Sequence, residues 1–208
     1  MQSITLIQHC QSEHHINDMT GGWTDTPLTE LGRKQAEIIG NKLSECINSK
    51  EYTLYSSDLL RAAQTAKIIG EQLSFEVILD HNLREINTGV AAGKSKEWAR
   101  ENRKPRGEAF DLDYQEFDDG ETWRQFYSRV CDCMNAICKS ETEKNVLVVT
   151  HGGTLGYIVA WWLGFQPDMV AKSFFSSSTG GISVLSKNSF QQNVVNKFND
   201  TSHLTILY

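Results

Sequence analysis

The chain has 208 residues, 39% of them hydrophobic, and a formal net charge of −6. That length supports one well-filled core, and the acidic balance argues against nucleic acid, whose binders carry a basic footprint. No basic stretch followed by an apolar core opens the chain, and the longest apolar run, Leu155 to Phe165, is about half of what a bilayer requires, so the expectation is a cytoplasmic protein with no membrane partner.

Ile4-Thr5-Leu6-Ile7 reads as a strand buried on both faces, the signature of a parallel sheet, and it delivers Gln8, His9 and Cys10 at its carboxyl end. His14 to Thr26 reads as a polar loop, after which Thr29 caps a helix carrying Leu31, Ile38, Ile39 and Leu43. Glu51 to Tyr55 is a second strand. Ser56-Ser57-Asp58 opens a helix with Leu59, Ala62, Ala63, Ala66, Ile69 and Leu73 on one face. Glu76 to Leu79 is a third strand, leading to Leu83-Arg84-Glu85-Ile86. Periodicity then fades, and residues 88–120 are expected to form a partly helical lid with its best helical piece at Ser95 to Asn102. A helix from Glu121 to Cys138 precedes the strand Val146 to Thr150, which ends in His151-Gly152-Gly153 and a further helix. Ile182 to Ser186 and Asn193 to Phe198 suggest a closing hairpin. This alternation predicts an α/β fold, a three-layer αβα sandwich around a mostly parallel sheet, as one domain over 1–208.

Five cysteines (Cys10, Cys46, Cys131, Cys133, Cys138) are odd in number and scattered, which signals neither disulfides nor zinc. Cys10 beside His9 is a candidate nucleophile, but nothing nearby looks arranged to lower its pKa. A metal site built on His9, His14 and His15 lacks a carboxylate at a completing spacing.

Ligands bind beyond the carboxyl ends of strands in open α/β sheets, so His9 and His151 stand where chemistry is expected. Arg61 lies in the first turn of its helix, where it reinforces rather than offsets the positive end of the macrodipole. Gly152 and Gly153 expose backbone N–H groups at a helix start, a ready anion site. Glu85 is a candidate proton donor beside such a pocket. The bland alternatives are a structural histidine, a surface arginine, a tight turn and a solvated acid.

Leu6-Ile7-Gln8-His9-Cys10, the block from Gly22 to Ala36, Tyr55 to Ala66, Leu83 to Ile86, Gly120-Glu121-Thr122, Val149 to Gly153 and Asn199 to Leu204 together resemble the histidine phosphatase (phosphoglycerate mutase-like) superfamily, nearly end to end. The resemblance implies a phosphoric monoester hydrolase that needs no metal or other cofactor and acts on a small phosphorylated metabolite. His9 would take the phosphoryl group. Arg61 and His151 would offset its charge, and Glu85 would serve as acid and then base. Gln8, His15, Gly22 and Gly152 would line the phosphate site.

The chain departs from the family pattern at Gln8, where the family has arginine, and at Cys10, where it has glycine. Charge-assisted bonds contribute about 1.5–3 kcal/mol against about 1 for neutral ones, a loss of roughly ten- to a hundredfold in rate. Cys10 is expected to narrow the pocket. His15 would replace a phosphate-contacting asparagine and, if protonated, restore positive charge. Ile86 stands where family mutases carry arginine, which favours hydrolysis over isomerisation. A non-catalytic phosphate-binding member and a mutase are the alternatives. Arg100 to Arg106 form a basic cluster suited to a second anion or to a solvated face. Trp161 and Trp162 are candidate exposed contact residues. Oligomeric state is not legible.

Overall fold

The computed structural model describes residues 3–207. Six strands form one sheet in the order β3-β2-β4-β1-β5-β6. β1 is Ser3–Gln8, β2 Tyr52–Ser56, β3 Val77–Leu79, β4 Asn145–Thr150, β5 Ile182–Lys187 and β6 Asn193–Asp200. The first four run parallel, while β5 pairs antiparallel with β1 and with β6. The architecture is therefore the expected open, mostly parallel α/β sheet.

Side-chain alternation along the central strands feeds two cores. Ile4 and Leu6 of β1 and Val146 and Val148 of β4 pack beneath α5 (Trp123–Ser140) and α6 (Gly152–Trp162). Ile7, Leu147 and Val149 face the opposite way, against α2 (Glu30–Ser44) and α3 (Leu60–Leu73). Continuous apolar runs suit strands covered on both faces.

The chain leaves β1 over one face through α2 and leaves β4 over the other through α6. The crevice between the two strands is thus a topological switch point, the place where such sheets bind ligands. α2 approaches closely here: a Cβ at Gly32 would lie 1.9 Å from the carbonyl oxygen of Gln11, so only glycine fits. The expected cap also forms, with Thr29 Oγ1 accepting from Gly32 N–H at 3.0 Å.

Several boundaries differ from expectation. The expected loop after β1 opens with one helical turn, α1 (Glu13–Ile16), and α3 starts at Leu60, not at Ser56–Asp58. Residues 88–120 contain a short 3₁₀ turn (Gly89–Ala91) and α4 (Lys96–Asn102), around a small core of Ala91, Ala99 and Phe117. This insertion leans on the loop after β1, where Thr20 Oγ1 donates to the Ala91 carbonyl at 2.6 Å. Its basic cluster is largely matched internally, Arg100 with Glu97, Arg103 with Glu116 and Lys104 with Asp118. The tryptophans expected at the surface are drawn inward. Trp162 is buried and donates to the Val194 carbonyl, and half-buried Trp161 donates to Asn135. Among the described residues no helix is long and apolar enough to cross a membrane.

Candidate active site

β1 and β4 are paired through Gln8 and Thr150. Each strand then ends in a histidine on the same rung, and His9 N–H donates to the Thr150 carbonyl at 2.8 Å. The two rings lie 5.0 Å apart, edge to face. Both are buried.

Hydrogen bonds fix the tautomer of His9. Its Nδ1–H donates to the Cys10 carbonyl at 2.8 Å, leaving Nε2 as the lone-pair nitrogen. Arg61 Nε–H points at that lone pair from 3.2 Å. Burial, and then the Arg61 charge, hold the His9 pKa well below its usual value, so the imidazole is neutral at pH 7.

Arg61 is itself buried, and its guanidinium is seated by backbone. Nη1 donates to the Thr24 carbonyl and Nη2 to the Gly22 carbonyl, each at 2.7 Å. Three of its five donors are thereby used, which leaves one N–H on each terminal nitrogen. Burial lowers its pKa to about 10, with Glu85 and Asp25 opposing the shift, so the cation persists at neutral pH. Gly22 adopts φ +59°, where an added Cβ would strike Thr88. Expected in the phosphate site, Gly22 turns its carbonyl to the arginine and acts here as a seat for it.

Ser57, which sequence reasoning did not single out, bonds His151. Its Oγ accepts from Leu59 N–H at 3.3 Å and shares a hydrogen bond with His151 Nε2 at 2.8 Å. The other ring nitrogen, Nδ1, is fully buried with no partner. Burial, followed by the charge of Arg61, keeps this ring neutral also. An unpaired buried polar nitrogen is costly, and in the tautomer that carries its proton there an oxyanion would satisfy it.

Glu85 is half-buried opposite this pair. Gly153 N–H donates to Oε2 at 2.9 Å and Ile86 N–H to Oε1 at 3.0 Å. The surrounding backbone is clamped by Arg129, which pairs with Glu121 and donates to the carbonyls of Asn82, Arg84 and Glu85. Trp23 Nε1–H adds a second bond to the Glu85 carbonyl at 2.8 Å.

Gln8 and Gly152 stand at the edge of the same crevice, close enough that a Cβ on Gly152 would lie 3.3 Å from the Gln8 amide oxygen. Ser177 donates to that oxygen at 2.6 Å, so the group left to Gln8 is its neutral NH₂.

His15 stacks on His9 with centroids 5.5 Å apart. Its Nδ1 accepts from Ser12 N–H at 3.0 Å, and a protonated imidazole has no acceptor to offer. Desolvation and Arg61 lower its pKa as well. The expected restoration of charge at His15 is therefore corrected: it presents a neutral Nε2–H. His14, packed against His15, is lowered to about 3, chiefly by burial.

Cys10 is a second correction. Its side chain is buried in the apolar layer with Ile7, Leu28 and Ile39, not in the pocket, and burial pushes the thiol up to about 12. A thiol in that environment is not a nucleophile. Among the described residues no group of three or more His, Cys, Asp or Glu is disposed to hold a metal ion.

A sequence profile described as the histidine phosphatase superfamily (branch 1) matches residues 4–201. The chain belongs to the histidine phosphatase superfamily. Among its relatives, phosphoserine phosphatase 1 of Hydrogenobacter thermophilus is 29% identical, with 100% of this chain and 97% of that protein covered. Phosphoglycerate mutase-like protein 4 of Arabidopsis thaliana is 30% identical over 73% of this chain and 67% of its own length. The α-ribazole phosphatase structure from Shigella flexneri superposes with a TM-score of 0.79 at 21% identity, covering 95% of this chain and 96% of that one. That similarity establishes the fold, and the names of the relatives span phosphatases and mutases.

Proposed function

We propose that the protein is a metal-independent phosphatase that hydrolyses a small phosphorylated metabolite through phosphohistidine on His9. The reading rests on one observation: a buried, neutral imidazole whose Nδ1–H is anchored leaves an Nε2 lone pair facing a seated guanidinium. That lone pair attacks phosphorus, and the bond from phosphorus to the ester oxygen breaks. Glu85, in the role of general acid, supplies a proton to the departing alcohol. In the second half Glu85 takes a proton from water, the hydroxide attacks phosphorus, and the P–N bond returns its electrons to Nε2. Splitting the transfer in this way replaces one difficult step with two easier ones.

Arg61, through its two remaining N–H groups, and His151, through its orphan Nδ1–H, face the charge spread over the phosphoryl oxygens. His15 Nε2–H, Gln8 NH₂ and the N–H at Gly152 supply neutral donors. Hydrolysis is favoured over isomerisation because Ile86, packed against the core, supplies no cation to hold a second phosphoryl group.

The test uses a panel of phosphorylated metabolites, with released phosphate, isomerised product and acid-labile phosphate on the protein measured for wild type and His9→Ala. Phosphate release and labelling that vanish in the variant are expected. Isomerised product would identify a mutase, and binding without turnover would identify the non-catalytic reading, for which Gln8 is the one favourable feature.

A further inference from the structure

A concavity of about 340 Å³ is walled by Phe110, Trp123, Tyr157, Val170 and Phe174. That is a volume suited to a small ligand. Two routes tie it to the phosphoryl site. Along α6, Tyr157 lies four residues after Gly153, on the same helix face, and Gly153 N–H holds the Glu85 carboxylate. The Tyr157 phenol accordingly has its pKa raised, first by burial and then by the Glu85 charge. Along the chain, Phe174 is three residues before Ser177, whose hydroxyl orients Gln8 beside His9. Tyr157, one helical turn from the residue that holds the Glu85 carboxyl, and Phe174, three residues before the one that orients Gln8, thus tie the wall of the cleft to the phosphoryl site.

Its chemistry is specific. Phe174 and Phe110 are 65% and 46% exposed, large rings left in water at the mouth of a cleft. Phe110 also meets Trp123 with centroids 5.6 Å apart, a geometry in which a further ring can stack. Among the described residues of the lining Lys172 is the only charged one, so a leaving group bearing an ammonium would meet like charge there.

We propose that this cleft receives the leaving group of the substrate, and that this group is a flat apolar or aromatic alcohol without an ammonium. The proposal rests on the reading of His9, Glu85 and Arg61 as a phosphomonoesterase site. It sets this protein apart from relatives named for phosphoserine, whose alcohol is zwitterionic.

Two measurements test it. Calorimetric binding of 2-phenylethylphosphonate should be about tenfold tighter than that of 2-aminoethylphosphonate, the scale of discrimination expected of an apolar pocket. That preference should shrink at least threefold in Phe174→Ala and in Phe110→Ala. With turnover, kcat/KM for 2-phenylethyl phosphate should exceed that for O-phosphoserine by a similar factor, and the variants should act through KM. Equal or reversed affinities, or a preference untouched by both substitutions, overturn the proposal. Selective binding with no phosphate released from either ester would leave the cleft assignment standing and remove the phosphatase reading, so the two failures are distinguishable.

Discussion

Arg61 Nε and His9 Nε2 stand 3.2 Å apart, with the donor directed at the lone pair that would attack phosphorus. The guanidinium also satisfies two backbone carbonyls, which lysine's single ammonium cannot do together with the imidazole. Arg61→Lys should lower kcat by about a hundredfold and leave the carbonyls of Gly22 and Thr24 poorly paired. Steady-state kinetics and a thermal melt would check both, and near wild-type turnover would remove Arg61 from the reaction.

A Ser57 hydroxyl that donates to His151 Nε2 places the ring proton on the orphan Nδ1. Ser57→Ala frees the ring to choose the other tautomer, and kcat/KM should fall about tenfold. The Leu59 N–H loses its acceptor at the same time, at a cost of about 1 kcal/mol in stability. Denaturant melts run alongside the kinetics separate the two effects.

Gln8 contributes a neutral amide where a charged fork would fit. Gln8→Arg should raise kcat by about tenfold, from the difference between charge-assisted and neutral hydrogen bonds. An unchanged or lower rate would show that the missing cation does not limit turnover.

Five imidazoles, His9, His14, His15, His151 and His203, have lowered pKa values. In the unfolded chain each takes a proton as the pH falls through about 6.5. The folded protein leaves them neutral, so the unfolded state binds more protons and stability drops as the pH is lowered from about 6.5. For His14 that window extends down to about 3. Thermal melts from pH 7 to pH 5 should show a steady decline, shallower in His14→Asn. Activity should persist below pH 6.5, because His9 remains unprotonated there.

What could be read in the sequence divides along physical lines. Uninterrupted apolar runs and helical spacing announced β1, β4 and the helices over them, and a histidine after each run marked the crevice. Side-chain direction beyond a strand end follows no period, which is why Cys10 was expected in the pocket yet packs with Ile7 and Ile39. Proton positions depend on partners distant in sequence. The His15 proton follows from the Ser12 N–H that bonds its Nδ1, and the partner of His151, Ser57, lies 94 positions away. The Ser177 contact to Gln8 spans 169 positions and has no local signature at all. A serine inside a matching sequence block, such as Ser57, was the one available hint of a residue supporting its neighbours.

The pairing of β1 with β4 joins the two ends of a loop well over a hundred residues long. Closing such a loop is entropically demanding and tends to come late in folding. No fragment or partly folded form that lacks this pairing can bring the two imidazoles together. Recovery of turnover after dilution from denaturant is thus a clock for the last topological event, and it should lag behind the return of helical circular dichroism.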